Sequence, residues 1–137
     1  MNTLFRSLVA LMLLAPASAL AQAPKNPTPP RETQAAFDGF IAKFRAALKA
    51  NDPAAVASMT KLPFMGDKTY SDPAQFRAKA YPEFLTAKNR ACLQKKKAVY
   101  DRDGDRNDNF HIFCGENIYT FTKTPSGFLF TDVSVND

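Results

Sequence analysis

The sequence predicts an α+β fold, with N-terminal helices followed by an antiparallel sheet in a single domain. Three observations predict it. Phenylalanines recur at helical spacing between Thr33 and Ala50, β-branched and aromatic runs separated by turn formers follow Lys88, and 137 residues suffice for one modest domain but not two. Phe accounts for 12 residues and Trp for none, so the core is expected to be packed with phenylalanine. At 45% hydrophobic residues the chain is too apolar for disorder.

The chain opens with Arg6, an apolar run from Ser7 to Leu14, the helix breaker Pro16, and small residues on either side of Leu20. This is the pattern of a secretory signal peptide over residues 1–21. Cleavage is expected after Ala21, with Ala19 and Ala23 as alternatives. The apolar run is far shorter than the roughly 20 residues of a bilayer span, so no transmembrane segment is expected. The protein is therefore expected to be exported, to a bacterial periplasm or the extracellular space. Residues 22–32 hold Pro24-Lys25-Asn26-Pro27-Thr28-Pro29-Pro30, a proline-rich extended tether, and the folded domain is placed at 33–137.

Phe37, Phe40, Ile41, Phe44, Ala47 and Leu48 recur every three or four positions, opposite Asp38, Lys43, Arg45 and Lys49. That spacing predicts an amphipathic helix over 33–50, closed by Asn51. Asp52-Pro53 opens a short second helix, with Asp as N-cap and Pro where its missing N–H is harmless. Lys61 to Met65 reads as a short extended edge segment, because Pro63 cannot donate to a ladder. Asp72-Pro73 starts a third helix that places Phe76, Ala80 and Phe84 on one face, with Pro82 kinking or dividing it.

Strands are predicted near Arg90–Tyr100, Phe110–Cys114, Asn117–Lys123 and Phe128–Val135, joined at Asp101–Asn109, Gly115-Glu116 and Pro125-Ser126-Gly127. An exported chain with two cysteines permits one intramolecular pairing, so Cys92 and Cys114 are expected to form a disulfide. Their separation of 22 residues corresponds to about 3 kcal/mol in the loop-entropy model.

The order of long helix, short helix, short strand, third helix and antiparallel run, ending in Gly127-Phe128-Leu129-Phe130-Thr131-Asp132-Val133-Ser134-Val135, resembles the nuclear-transport-factor-2-like superfamily, also called SnoaL-like or cystatin-like. The resemblance covers about Thr33 to Val135. It implies a curved, cone-like sheet wrapped over the helices, with a pocket between the concave face and the long helix. Such cones host isomerases, dehydratases, hydrolases and pure binding domains, so the fold selects no activity. Members often dimerise through the convex sheet, which leaves a homodimer open. The isomerases pair a carboxylate base with a tyrosine or protonated carboxyl. Asp132, Tyr70, Tyr81 and Tyr119 are of the right type here, although none aligns with a family catalytic position.

No residue set dictates a reaction. The first expectation is a binding domain rather than an enzyme. It would take a small apolar molecule or a protein partner in a concave pocket lined by Tyr81, His111, Phe113, Tyr119, Phe121 and Phe130. The second is an isomerase- or hydrolase-type enzyme with Asp132 or His111 as base and a pocket tyrosine as donor. The third is an interaction module that meets anionic surfaces through a basic strand. From Arg77 to Lys97 seven cations, including Lys95, Lys96 and Lys97, face Glu83 alone. The alternative is that these lysines protect an exposed strand edge.

Asp101 to Asn109 carries oxygen ligands at alternate positions. An EF-hand pattern starting at Asp101 would need Gly and Glu where Arg106 and Ile112 stand, so a solvated turn is expected and no metal site. No cofactor is expected, since no phosphate-cradling glycine loop occurs. Nucleic acid is not expected either, because no base-reading motif is present.

Overall fold

The computed structural model describes residues 27–137; the expected leader at 1–21 and the start of the tether lie outside the described residues. The fold is α+β. Helix α1 (Arg31–Lys49) buries Thr33, Phe37, Ile41, Phe44, Ala47 and Leu48 along one stripe. It ends in two reciprocal backbone bonds, Asn51 N–H to Leu48 O and Asp52 N–H to Ala47 O, both 3.0 Å, with Asn51 at φ 49°. Asparagine tolerates this left-handed position, which turns the chain and satisfies two terminal carbonyls. The Tyr81 hydroxyl fixes the Asn51 side chain through a 2.9 Å bond to Oδ1.

Helix α2 (Pro53–Ser58) follows at once, its N-cap Asp52 accepting from Ala55 N–H. The expected extended segment at Lys61–Met65 is not a strand. The chain makes a single parallel bridge at Thr60, opposite Phe130, flanked by Phe130 N–H to Met59 O (2.8 Å) and Lys61 N–H to Phe130 O (2.9 Å). A cis Leu62-Pro63 bond and a tight turn at Phe64–Gly66 then end it. Pro63 has no N–H with which to continue the ladder. The fully buried Phe64 ring turns inward against Phe130 and Phe76, at centroid distances of 4.8 and 5.4 Å.

Helix α3 (Pro73–Gln75) starts as expected, with Asp72 accepting from Gln75 N–H, and widens through a π-helical turn (Phe76–Ala80) into α4 (Tyr81–Phe84). Pro82 in the first turn of α4 removes a donor from the regular ladder, the division expected there. Phe76 and Ala80 are buried and Phe84 is half-buried.

The strand expected over Arg90–Tyr100 requires correction. Helix α5 (Ala87–Lys95) occupies most of it, and β1 (Val99–Arg102) begins only afterwards. Thr86 caps the helix by accepting from Asn89 N–H. Between Ala87 and Lys97 there is no β-branched residue, and the straight-chain residues there favour a helix. The Arg45 guanidinium stops the C-terminal end, donating through Nε to Leu93 O (2.9 Å) and through Nη2 to Lys96 O (2.7 Å). Gln94 returns a bond to Arg45 O at 2.7 Å. A disulfide joins Cys92 on this helix to Cys114.

β1, β2 (Asp108–Cys114), β3 (Asn117–Thr124) and β4 (Gly127–Val135) form one curved antiparallel meander in chain order. The last three strands lie where the sequence placed them, within one or two residues. Gly115 takes φ 61° at the first position of the β2–β3 turn, a conformation that suits glycine. A bulge between Thr120 and Phe121 adds Thr131 to β4 and bends the sheet. The inner face presents Tyr100, Phe110, Ile112, Tyr119, Phe121, Phe128, Phe130 and Val133, all buried against the helices. Phe37 stacks on Phe110 at 3.8 Å, and Phe44 meets Phe121 and Phe130 edge-on at 5.0 and 5.4 Å.

Phe44 contacts β3 and β4 from the middle of α1 and is fully covered. Phe44→Ala should lower unfolding stability by about 3–5 kcal/mol in urea titration. A loss below about 1 kcal/mol would show that this ring is not the helix–sheet anchor.

Candidate functional site

Alternation along a strand sends successive side chains to opposite faces, and the register separates the six expected lining residues accordingly. Tyr119, Phe121 and Phe130 lie on the inner face with no exposed area and pack on one another. Tyr81 is buried on α4, with the Arg90 guanidinium 5.9 Å above its ring. His111 and Phe113 point from the outer face, Phe113 with 41% of its surface exposed. The six are therefore not brought together. Rings from α1 and the sheet occupy the space where a concave pocket was expected.

All four tyrosine hydroxyls donate within the fold. Tyr70 bonds Glu83 Oε2 at 2.9 Å, Tyr81 bonds Asn51, Tyr100 bonds Asp108 Oδ1 at 2.6 Å, and Tyr119 bonds Phe84 O. Burial pushes the Tyr119 phenol up to about 12. None of these bonds reaches His111 or Asp132, so the tyrosine partnership expected of an isomerase-type site is not assembled.

His111 and Asp132 do share one row. The register runs Val99, His111, Thr120, Asp132 across all four strands of the outer face. His111 Nδ1 and the Thr120 hydroxyl share a 2.9 Å hydrogen bond, and Nε2 stands 3.9 Å from Asp101 Oδ2. Burial lowers the His111 pKa from 6.5, opposed by Asp101 and Asp132. Burial raises that of Asp132, opposed by His111. The row continues into a network in which the Thr122 hydroxyl donates to Asn109 Oδ1 at 2.7 Å and pairs with Thr131 Oγ1 at 2.8 Å. These threonines satisfy one another and Asn109 along the outer face. An imidazole and a carboxylate share this row, and among the described residues no tyrosine hydroxyl reaches either of them.

The β1–β2 loop is built around Asp103. Its Oδ1 accepts from the N–H groups of Asp105 (3.0 Å) and Asn107 (2.9 Å), and its Oδ2 from the side-chain amides of Asn107 (3.1 Å) and Asn109 (3.0 Å). These bonds, led by that from the Asn107 backbone, hold the Asp103 pKa below its ordinary value. A carboxylate engaged by four N–H groups has no oxygen facing a cation. Among the described residues no cluster of three or more His, Cys, Asp or Glu groups is placed to hold a metal.

The remaining concentration of chemistry is cationic. Lys95 ends α5, and Lys96 and Lys97 lead to β1, so the basic patch is a helix terminus and linker rather than a strand. Together with Arg45 they line a cleft of about 340 Å³ between α1 and the linker, completed by Gln34, Asp38, Phe37, Ile41, Ala98 and Phe110. Its floor is apolar but nearly covered. Phe37 and Phe110 each keep 2% of their surface, so little of either ring is open to the cleft. Among the described residues the three lysines have no carboxylate within 4.0 Å, the ion pairs being Arg102–Asp108 and Asp101–His111, each at 3.9 Å.

Two outcomes follow from the outer face. The neutral His111 ring favours the folded state, a contribution fully present above pH 6.5 and lost as pH falls through the lowered folded value. Asp132 acts with the opposite sign, because its raised folded value favours the folded state as its carboxylate takes up a proton. In His111→Asn the loss of stability between about pH 7.5 and about pH 5.5 should be smaller than in the parent, measured by urea unfolding; equal losses would remove the role given to the ring. Asp103→Ala should accelerate amide exchange at Asp105 and Asn107 while leaving β3 and β4 protected, and unchanged exchange would count against Asp103 as the loop's organiser.

Comparison of the chain with family models, with curated proteins and with solved structures finds no match in any of the three.

Proposed function

We propose that this protein is an exported, non-catalytic binding domain on the nuclear-transport-factor-2-like plan, and that it engages an anionic partner through the cationic cleft between α1 and the linker from α5 to β1. The observation that carries the reading is the unpaired run Lys95–Lys96–Lys97 beside Arg45, at a cleft whose apolar floor is already covered. Fixed positive charge there attracts an anion from solution, whereas the filled cone offers an apolar ligand little room. Export is supported by the leader-like residues before Ala21 and by the Cys92–Cys114 disulfide, a bond that persists in oxidising compartments. No described helix is long and apolar enough to cross a membrane. The family plan is supported by the long first helix and the antiparallel meander after the helices, while the short strand of that plan is reduced to the bridge at Thr60.

Part of the lysine charge has a local role. Lys95 lies in the last turn of α5, where a cation complements the helix dipole. Lys96 and Lys97 lie beyond it, which leaves them for a partner.

The test is binding of polyglutamate at low and at physiological ionic strength. The protein should bind at low salt and weaken as salt rises, and Lys95→Gln/Lys96→Gln/Lys97→Gln should weaken low-salt binding by about tenfold or more. Binding that ignores both salt and the triple substitution would overturn the reading.

A further inference from the structure

The geometry points to a strand-addition site at the open edge of β1, taking an extended acidic peptide whose carboxylates lie against Lys95, Lys96 and Lys97; this rests on the anionic-partner reading above and specifies its ligand. The two edges of the sheet differ. At β4 the backbone of Phe130 is already paired with Met59 and Lys61. β1 is the other edge, and among the described residues no backbone bond joins Val99–Arg102 to anything but β2. In an antiparallel strand alternate peptide groups point away from the neighbour, so β1 presents unpaired donors and acceptors outward.

A groove runs along that edge. The cationic cleft continues into a second one of about 400 Å³, the two sharing Gln34, Lys97, Ala98 and Phe110. Pro27, Thr28 and Pro29 form part of the second cleft's lining, opposite Val99 and Tyr100. Pro27 and Pro29 have no N–H, so Thr28 carries the one backbone donor of that stretch, and it makes no backbone bond to β1. The one carboxylate of the cationic cleft, Asp38, accepts from the Gln34 amide at 2.8 Å.

Lysines beside a short edge strand ordinarily discourage pairing. Here they also define the exception, since like charge rejects a basic strand while opposite charge recruits an acidic one. Backbone pairing supplies affinity and the lysines supply selection, the division of labour seen in peptide capture by sheet edges.

Three probes separate this proposal from the reading beneath it: a labelled peptide alternating Glu and Val, its twin N-methylated on the residues facing one edge, and polyglutamate. With the disulfide-bonded protein at low salt, the Glu–Val peptide should bind and slow amide exchange within Val99–Arg102. The N-methylated twin, equal in charge, should bind about tenfold or more weakly. Equal binding of the twins without slowed exchange overturns strand addition and leaves the anionic cleft standing, as does binding of polyglutamate alone. Failure of all three probes to bind overturns the underlying reading. A Lys–Val peptide that binds as well as Glu–Val overturns the charge selection.

Discussion

The phenylalanine stripe of α1 must find one continuous apolar surface, and the rest of the architecture follows from that requirement. A helix alone cannot cover Phe37, Ile41, Phe44 and Leu48. The inner face of the meander covers them with Phe110, Phe121, Phe128 and Phe130, and the Phe37–Phe110 stack sets the approach of helix to sheet at β2. Aromatic pairs contribute about 0.5–1.5 kcal/mol each beyond the area they bury, so a core made of rings tolerates few vacancies. The same rings occupy the space a ligand would need.

Recognition chemistry is consequently displaced to the periphery. The outer face holds His111, Thr120 and Asp132 in register, but its threonines are satisfied by one another and by Asn109. The β1–β2 loop is closed around Asp103. Among the described residues the charge at Lys95–Lys97 has no carboxylate within 4.0 Å and the outward backbone of β1 has no backbone partner, and the two adjoin. Arg45 connects them to the core, since it ends α5 and thereby determines where the lysine run leaves the helix.

Much of the fold was legible in the sequence. The stripe on α1, the Asp-Pro helix starts at Asp52 and Asp72 and the last three strands rest on local signals that tertiary contacts reinforce, and the Cys92–Cys114 pairing on there being only two cysteines. Two elements were not legible. Ala87–Lys95 lacks a marked apolar period, so the helix favoured by its straight-chain residues and the Thr86 cap is easily missed, and its end depends on Arg45, which is remote in sequence. Lys61–Met65 combines strand-like composition with a proline, and its turn is decided by Phe64 entering the core. The site was less legible still. Alternation along β2 sets His111 and Phe113 opposite Phe110, but only the register shows that Tyr119, Phe121 and Phe130 lie on the other side of the sheet from them. That one sheet edge is bridged at Phe130 while the other has no such bridge carries no sequence signature at all.

The bridge between Thr60 and Phe130 has an architectural consequence of its own. Every pairing within the meander joins neighbours along the chain, so the hairpins can zip locally. The Met59–Lys61 contact instead ties the helical half to the final strand and carries the largest loop-closure cost of any backbone pairing in the sheet. It acts as a topological latch: once it engages, the final strand is held to the helical half through the backbone as well as through the rings of the core.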